Sequence, residues 1–174
     1  LLTQKCIRSC PYCFARKHMH DAPPEDILKW EDLIYIVDFF QSSGDTNISL
    51  LGGEPFLHPL LPDFIRMARQ KGFIPVLTTN GTLLANGHQI IEASPRKIQI
   101  SLHSQEGNGR EYPVEYVREV MTFAGEAASK GILVVLRLWN QGGYDHANDI
   151  ILDWIAQYQP RPWTERHDGW KLSE

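Results

Sequence analysis

The chain has 174 residues, of which 43% are hydrophobic and 22% are charged, as is ordinary for a soluble globular domain. Its formal net charge of -4 and pI near 6.0 argue against a broad nucleic-acid-binding surface and against attraction to anionic membranes. The sequence shows no apolar run of bilayer-spanning length and no signal-peptide pattern, so a cytoplasmic location is expected.

The first thirteen residues hold all three cysteines of the chain. Leu1–Lys5 predicts the end of a short first strand that leads into Cys6-Ile7-Arg8-Ser9-Cys10-Pro11-Tyr12-Cys13. The C-x3-C-x2-C spacing indicates one shared site, and three cysteines in one loop suit a reducing compartment better than a disulfide framework. A loop this short can surround one iron–sulfur cluster, whereas a zinc site needs a fourth ligand, for which His18 or His20 is near in sequence.

The rest of the chain alternates strand and helix patterns. Strands are predicted over Ile48–Leu51, Phe73–Thr78, Lys97–Leu102 and Ile132–Leu138. Helices are predicted over Trp30–Gln41, from Pro62 to Gly72, over Gln89–Ala93, from Pro113 to Gly131, and over Ile150–Tyr158. This order implies parallel strands joined by helical crossovers. Because ligands bind at the carboxyl ends of such strands, the unusual stretches after the strands are expected to meet on one face.

Two stretches that follow strands resemble the signatures of the radical S-adenosylmethionine (SAM) enzymes. They are the cysteine loop, with Tyr12 before its last cysteine, and Gly52-Gly53-Glu54-Pro55. The resemblance implies an α/β fold, a partial (β/α)6 TIM-like barrel truncated at both ends. It also implies that residues 1–174 are one incomplete radical SAM core domain, with a short first strand and without the sixth strand or any C-terminal domain. The Trp139-Asn140 exit and the closing segment from Pro162 to Leu172 resemble a subgroup of the family whose chains continue into a cysteine-rich C-terminal region of the SPASM type.

The same resemblance assigns roles to the cysteine loop. Cys6, Cys10 and Cys13 would bind three irons of a [4Fe-4S] cluster and leave the fourth iron open to SAM. Tyr12 would lie near the adenine of SAM.

Further roles fall on the other strand exits. Gly52–Pro55 would hold the SAM amino group through backbone carbonyls and the Glu54 carboxylate, with the glycines allowing close approach. Ser101 would contact the ribose or carboxylate. Arg110 and Arg137 compete for the carboxylate. Arg137 lies in an otherwise apolar strand, where it must find an anion or reach the barrel mouth, and it is slightly preferred as a buried partner. His103 is the candidate catalytic group for proton handling, with a structural role equally open.

The implied function is that of a radical SAM oxidoreductase or maturase-like enzyme. It would use a small electron donor such as flavodoxin or ferredoxin, and a peptide, protein or small-molecule substrate. Asn80-Gly81 resembles the end of the family's third strand, but this pair is common in turns, so a structural role is favoured. Two alternatives remain open: an iron–sulfur electron-transfer module without SAM chemistry, and a zinc-stabilised binding domain.

Overall fold

The computed structural model describes residues 1–13, 23, 26–102, 114–138 and 148–158. The strands are β1 (Asn47–Leu50), β2 (Ile74–Thr79), β3 (Lys97–Ser101) and β4 (Leu133–Arg137). The helices are α1 (Trp30–Ser43), α2 (Leu61–Gln70), α3 (Gly87–Ala93), α4 (Val114–Ser129) and α5 (Asp149–Tyr158). None of the helices in these ranges has the length and apolarity that crossing a bilayer requires.

The four strands form one parallel sheet in the order β1-β2-β3-β4. Neighbouring strands are in simple register, so that Leu50 lies beside Leu77 and Ser101 lies beside Arg137. The predicted α/β fold with parallel strands is therefore confirmed. Because all strands run the same way, their carboxyl ends meet at one edge of the sheet.

The two faces of the sheet differ in burial. Alternate strand residues are buried together with apolar residues of the helices, as period-two strands require. The buried strand residues include Ile48, Leu50, Leu77, Ile98, Ile100 and Val134. The residues between them are half-buried or exposed and form what we call the uncovered face: Ser49, Val76, Thr78, Gln99, Ser101, Val135 and Arg137. Within the described residues, the helices thus pack against one face of the sheet.

The expected first strand is not a strand. Residues Leu1–Lys5 contribute only an isolated antiparallel bridge between Thr3 and Ile27. The segment instead lies along the exit of β1, where its backbone bonds to residues 51–54 at irregular spacing. This spacing does not match a regular parallel ladder, which is why no strand forms.

Candidate functional site

A pocket at the carboxyl edge of the sheet brings together most of the residues predicted to form a site. It is lined by Leu1, Gln4, Cys6, Arg8, Cys10, Tyr12, Cys13, Leu51, Gly52, Gly53, Thr78, Thr79, Asn80 and Ser101. These residues come from the N-terminal segment and from the exits of β1, β2 and β3. The expectation that the post-strand stretches meet on one face is correct for these three strands.

The three cysteines share this pocket, and none of them forms a disulfide. All are half-exposed, and the Cys13 amide donates to the Cys10 carbonyl at 3.1 Å, which forms a turn in the loop. Among the described residues, no group of three His, Cys, Asp or Glu side chains is arranged to hold a single metal ion. Three thiols in one short loop that lines one pocket suit a cluster, in which each cysteine binds a different iron, better than a zinc ion, which needs a fourth ligand. The donor set therefore fits a cubane cluster.

Cys6 is the cysteine whose surroundings are best defined. Its Sγ accepts hydrogen bonds from the Arg8 amide at 3.4 Å and from Asn80 Nδ2 at 3.8 Å. Burial raises the pKa of the Cys6 thiol, and the nearby charge of Glu54 acts in the same direction, while the two hydrogen bonds act against it. A metal bound to the sulfur would favour the thiolate and overcome this rise in pKa.

Gly52 and Gly53 are required by the path of the chain itself. A Cβ on Gly52 would lie 2.4 Å from the Thr3 carbonyl oxygen, and one on Gly53 would lie 1.9 Å from the Lys5 carbonyl oxygen. The Gly53 amide donates to Thr3 O at 2.8 Å, and the Glu54 amide donates to Lys5 O at 2.7 Å. The glycines therefore allow the segment that leads to the cysteines to pack closely against the exit of β1. Both glycines also line the pocket.

Glu54 lies behind the pocket lining. It is fully buried, and its Oε1 accepts from Thr79 Oγ1 at 2.7 Å and from the Phe56 amide at 3.1 Å. Its Oε2 accepts from the Asn80 amide at 2.8 Å. Burial raises the pKa of Glu54, whereas these three donors lower it. The carboxylate thus binds the chain's own donors, and Pro55, which is also buried, begins a short 3-10 turn outside the lining.

Of the remaining described candidates, two line the pocket and one does not. Tyr12 and Ser101 line the pocket, as their predicted roles require. Arg137 lies beside Ser101 in the sheet but outside the lining. The expectation that Arg137 is buried is wrong, because its position on the uncovered face of β4 leaves it exposed. Its assignment to the SAM carboxylate stays a prediction.

Four candidate residues lie outside the described residues. They are His103 and Arg110, and the two possible fourth ligands of zinc, His18 and His20.

Arg8 and Asn80 are among the seven pocket residues that were not assigned to the site from sequence. Arg8 lies between the first two cysteines, and its guanidinium carbon is 5.0 Å from the centre of the Tyr116 ring, a cation–π distance. Asn80 was weighed as a turn residue, yet its side chain reaches Cys6. The position of Asn80 directly after β2 was the available signal, since every strand exit of this sheet opens toward the same edge.

Comparisons with known proteins agree with this geometry. Residues 1–150 match the family model of the radical SAM superfamily. The chain is 34% identical over 105 residues to GTP 3',8-cyclase 1 of Mycobacterium tuberculosis, which covers 56% of this chain and 29% of that protein. It is 33% identical over 103 residues to the AdoMet-dependent heme synthase of Oleidesulfovibrio alaskensis, which covers 58% of this chain and 26% of that protein.

The fold is also similar to that of Streptococcus suis SuiB bound to S-adenosylmethionine, with a TM-score of 0.52 at 18% identity over 89% of this chain and 46% of that one. The sequence matches cover less than a third of the length of the two curated relatives. Proteins of the matched family use a [4Fe-4S] cluster and SAM, and the donor set of the pocket fits that cluster. Because the family model matches most of its length, the chain belongs to the radical SAM superfamily.

Proposed function

We propose that the chain cleaves SAM reductively and uses the product to remove a hydrogen atom from a substrate. The observation that carries this proposal is that one pocket is lined by Cys6, Cys10 and Cys13 together with Gly52, Gly53 and Ser101. When bound, the cluster would supply the electron that breaks a carbon–sulfur bond of SAM, yielding methionine and a 5'-deoxyadenosyl radical.

The chain's own residues would bind and orient the reactants. The three cysteines would hold the cluster, and carbonyls of Gly52 and Gly53 would accept from the SAM amino group at the pocket wall. Tyr12 would lie against the adenine, and Ser101 would bind the ribose or the carboxylate. Arg137 or Arg110 would pair with the carboxylate, and His103 would handle protons at the substrate.

Part of the cysteine loop is exposed to solvent. Ile7, within the loop, is 45% exposed, and Tyr12 is 37% exposed. A small one-electron carrier such as flavodoxin or ferredoxin could therefore approach this side of the pocket, and we propose it as the partner.

A peptide or protein substrate is the finer proposal. It is supported by the similarity in fold to SuiB, which has also been solved bound to the precursor peptide SuiA. The sequence relatives are named GTP 3',8-cyclase and AdoMet-dependent heme synthase, so they do not favour a peptide. The central proposal is therefore SAM cleavage, whichever substrate follows.

The test is electron paramagnetic resonance of the anaerobically reconstituted, dithionite-reduced chain, with and without SAM, followed by an assay for 5'-deoxyadenosine. We expect a [4Fe-4S]+ signal that changes when SAM is added. Cys6→Ala, Cys10→Ala and Cys13→Ala should each abolish 5'-deoxyadenosine formation, whereas Ile7→Ala, an exposed change in the same loop, should retain it.

Two other results would favour the alternative functions. A cluster signal that SAM leaves unchanged would favour the electron-transfer module. One zinc per chain without sulfide would favour the zinc-stabilised domain.

A further inference from the structure

Asn80 donates a side-chain hydrogen bond to a cysteine of the proposed cluster site. Its Nδ2 lies 3.8 Å from Cys6 Sγ, within the range of hydrogen bonds to sulfur, and the Arg8 amide donates to the same sulfur at 3.4 Å. Two N–H groups thus converge on Cys6. The two donors differ, because the Asn80 amide is a side chain that substitution can remove and the Arg8 donor is backbone.

The orientation of the Asn80 amide is determined by Thr82. The Thr82 amide donates to Asn80 Oδ1 at 3.0 Å, and the Thr82 hydroxyl donates to the same oxygen. Rotating the amide by a half turn would place its N–H groups against these donors and its oxygen against the sulfur. The nitrogen of Asn80 must therefore face Cys6.

The backbone of Asn80 is held from two further directions. Its amide donates to Glu54 Oε2 at 2.8 Å, and its carbonyl accepts from the Tyr116 hydroxyl. These two bonds hold the backbone of Asn80, whereas the direction of its side-chain donor is set by the bonds from Thr82.

We propose that Asn80 raises the reduction potential of the cluster by donating this hydrogen bond to Cys6. The inference rests on the proposed function, since it requires a cluster on Cys6. One electron from an external donor reduces the cluster from its 2+ to its 1+ state and increases the negative charge shared with the thiolates. A hydrogen bond to sulfur stabilises this more negative state, and such bonds are among the groups that set cluster potentials.

The test is a redox titration of the anaerobically reconstituted full chain, followed by electron paramagnetic resonance without SAM or substrate. Asn80→Leu keeps a similar volume and removes the donor. We expect a more negative midpoint, so that the ratio of reduced to oxidised cluster at the wild-type midpoint falls several-fold; a tenfold fall corresponds to about 59 mV for a one-electron couple. If Asn80→Leu does not assemble a cluster, Asn80→Ala removes the same donor without adding a charge, and its midpoint should fall as well.

Tyr116→Phe is the matched control. It removes the bond to the Asn80 carbonyl, keeps the aromatic ring beside Arg8, and leaves the Asn80 amide in place. We expect it to lower the thermal midpoint of unfolding and to keep the wild-type potential. An unchanged midpoint potential in the Asn80 variants, or an equal shift in Tyr116→Phe, would overturn this inference while the proposed function stands. A wild-type chain that assembles no cluster would overturn both.

Discussion

The carboxylate of Glu54 shows how one buried residue organises a site that it does not line. It connects the exit of β1 to Thr79 and Asn80 at the exit of β2, which are 25 and 26 residues further along the chain. Since Asn80 in turn contacts Cys6, the cysteine loop and two strand exits are joined through two successive hydrogen bonds. The orientation of the pocket wall therefore depends on a side chain behind it.

Replacing Glu54 by glutamine tests this role. The amide offers one acceptor oxygen and directs N–H groups toward a donor, which leaves a buried donor without a partner. We expect Glu54→Gln to lower the free energy of unfolding by about 1–3 kcal/mol in urea titrations. Glu92→Gln, at a side chain that is 56% exposed, should change it little. Equal unfolding midpoints for the two variants would contradict this role of Glu54.

Residue types and their spacing were sufficient to predict part of the pocket lining. The three cysteines and Tyr12 follow a segment that is bonded to the exit of β1, and Ser101 is the last residue of β3, so all five meet at one edge of the sheet. The burial of Glu54 and the exposure of Arg137 could not be predicted in this way. Both depend on which groups pack around the residue, and no local pattern records those partners.

At the scale of elements, the contact between the N-terminal segment and the exit of β1 positions the cysteine loop. Gly53 tests it. We expect Gly53→Ala to force the Lys5 carbonyl away, to cost about 1–3 kcal/mol of stability, and to reduce the iron bound after reconstitution.

Gly44→Ala is the control for this change. Gly44 ends α1 at φ 81° with no atom close to a new Cβ, so alanine there should cost about 1 kcal/mol through backbone strain alone and leave iron binding intact. A Gly53→Ala variant that binds as much iron as Gly44→Ala would refute the positioning role of the contact.

His58 joins the segment before α1 to the segment before α2. Its side chain is 2% exposed; Nδ1 accepts from the Leu60 amide at 3.2 Å, so Nε2 carries the proton and donates to the Leu28 carbonyl at 2.9 Å. Burial lowers the pKa of His58. Below about pH 6.5, the ordinary pKa of histidine, the unfolded chain therefore binds a proton that the folded chain does not.

This difference predicts a pH-dependent stability. The contribution of His58 to the free energy of unfolding is complete above about pH 6.5 and falls as the pH drops below it. His58→Gln should therefore lose stability at pH 8 but show a smaller further loss between pH 7 and pH 5.5 than the wild-type chain, measured by urea unfolding. His88→Gln, at a side chain that is 69% exposed, should keep the wild-type slope. Parallel pH profiles for wild type and His58→Gln would be evidence against this assignment.

The helices and strands were largely predictable, because the apolar residues repeat with the period of each element. The helix expected at Trp30–Gln41 spans Trp30–Ser43, and the strand expected at Phe73–Thr78 spans Ile74–Thr79. Leu1–Lys5 was the exception. Its apolar start resembles a strand, but its hydrogen bonds are decided by distant residues, and these do not form a ladder.

For the whole molecule, the hydrophobic core and the cysteine loop are almost separate. Of residues 1–13, all of them described, Leu2 alone belongs to the buried apolar core, which is otherwise built from the helices and strands and the turns joining them. A cofactor held by the loop should therefore stabilise the loop much more than the sheet.

Removal of the cluster tests this separation. After anaerobic chelation of iron, we expect faster amide hydrogen exchange at Arg8 and Cys13 and unchanged protection in β2 and β3. The reconstituted chain under the same conditions is the reference. Loss of protection throughout the sheet on chelation would show instead that the fold depends on the metal.

The two faces of the sheet also have a consequence for altering this protein by design. Positions such as 49, 76, 99 and 135 lie on the uncovered face, whereas their neighbours along each strand are packed beneath helices. A library that randomises these four codons would vary one face of the sheet and leave the buried residues of the other face unchanged. Large-to-small changes of buried residues commonly lower stability by about 2–5 kcal/mol. Within the described residues, this face of the sheet therefore offers positions at which substitution is expected to cost less packing energy.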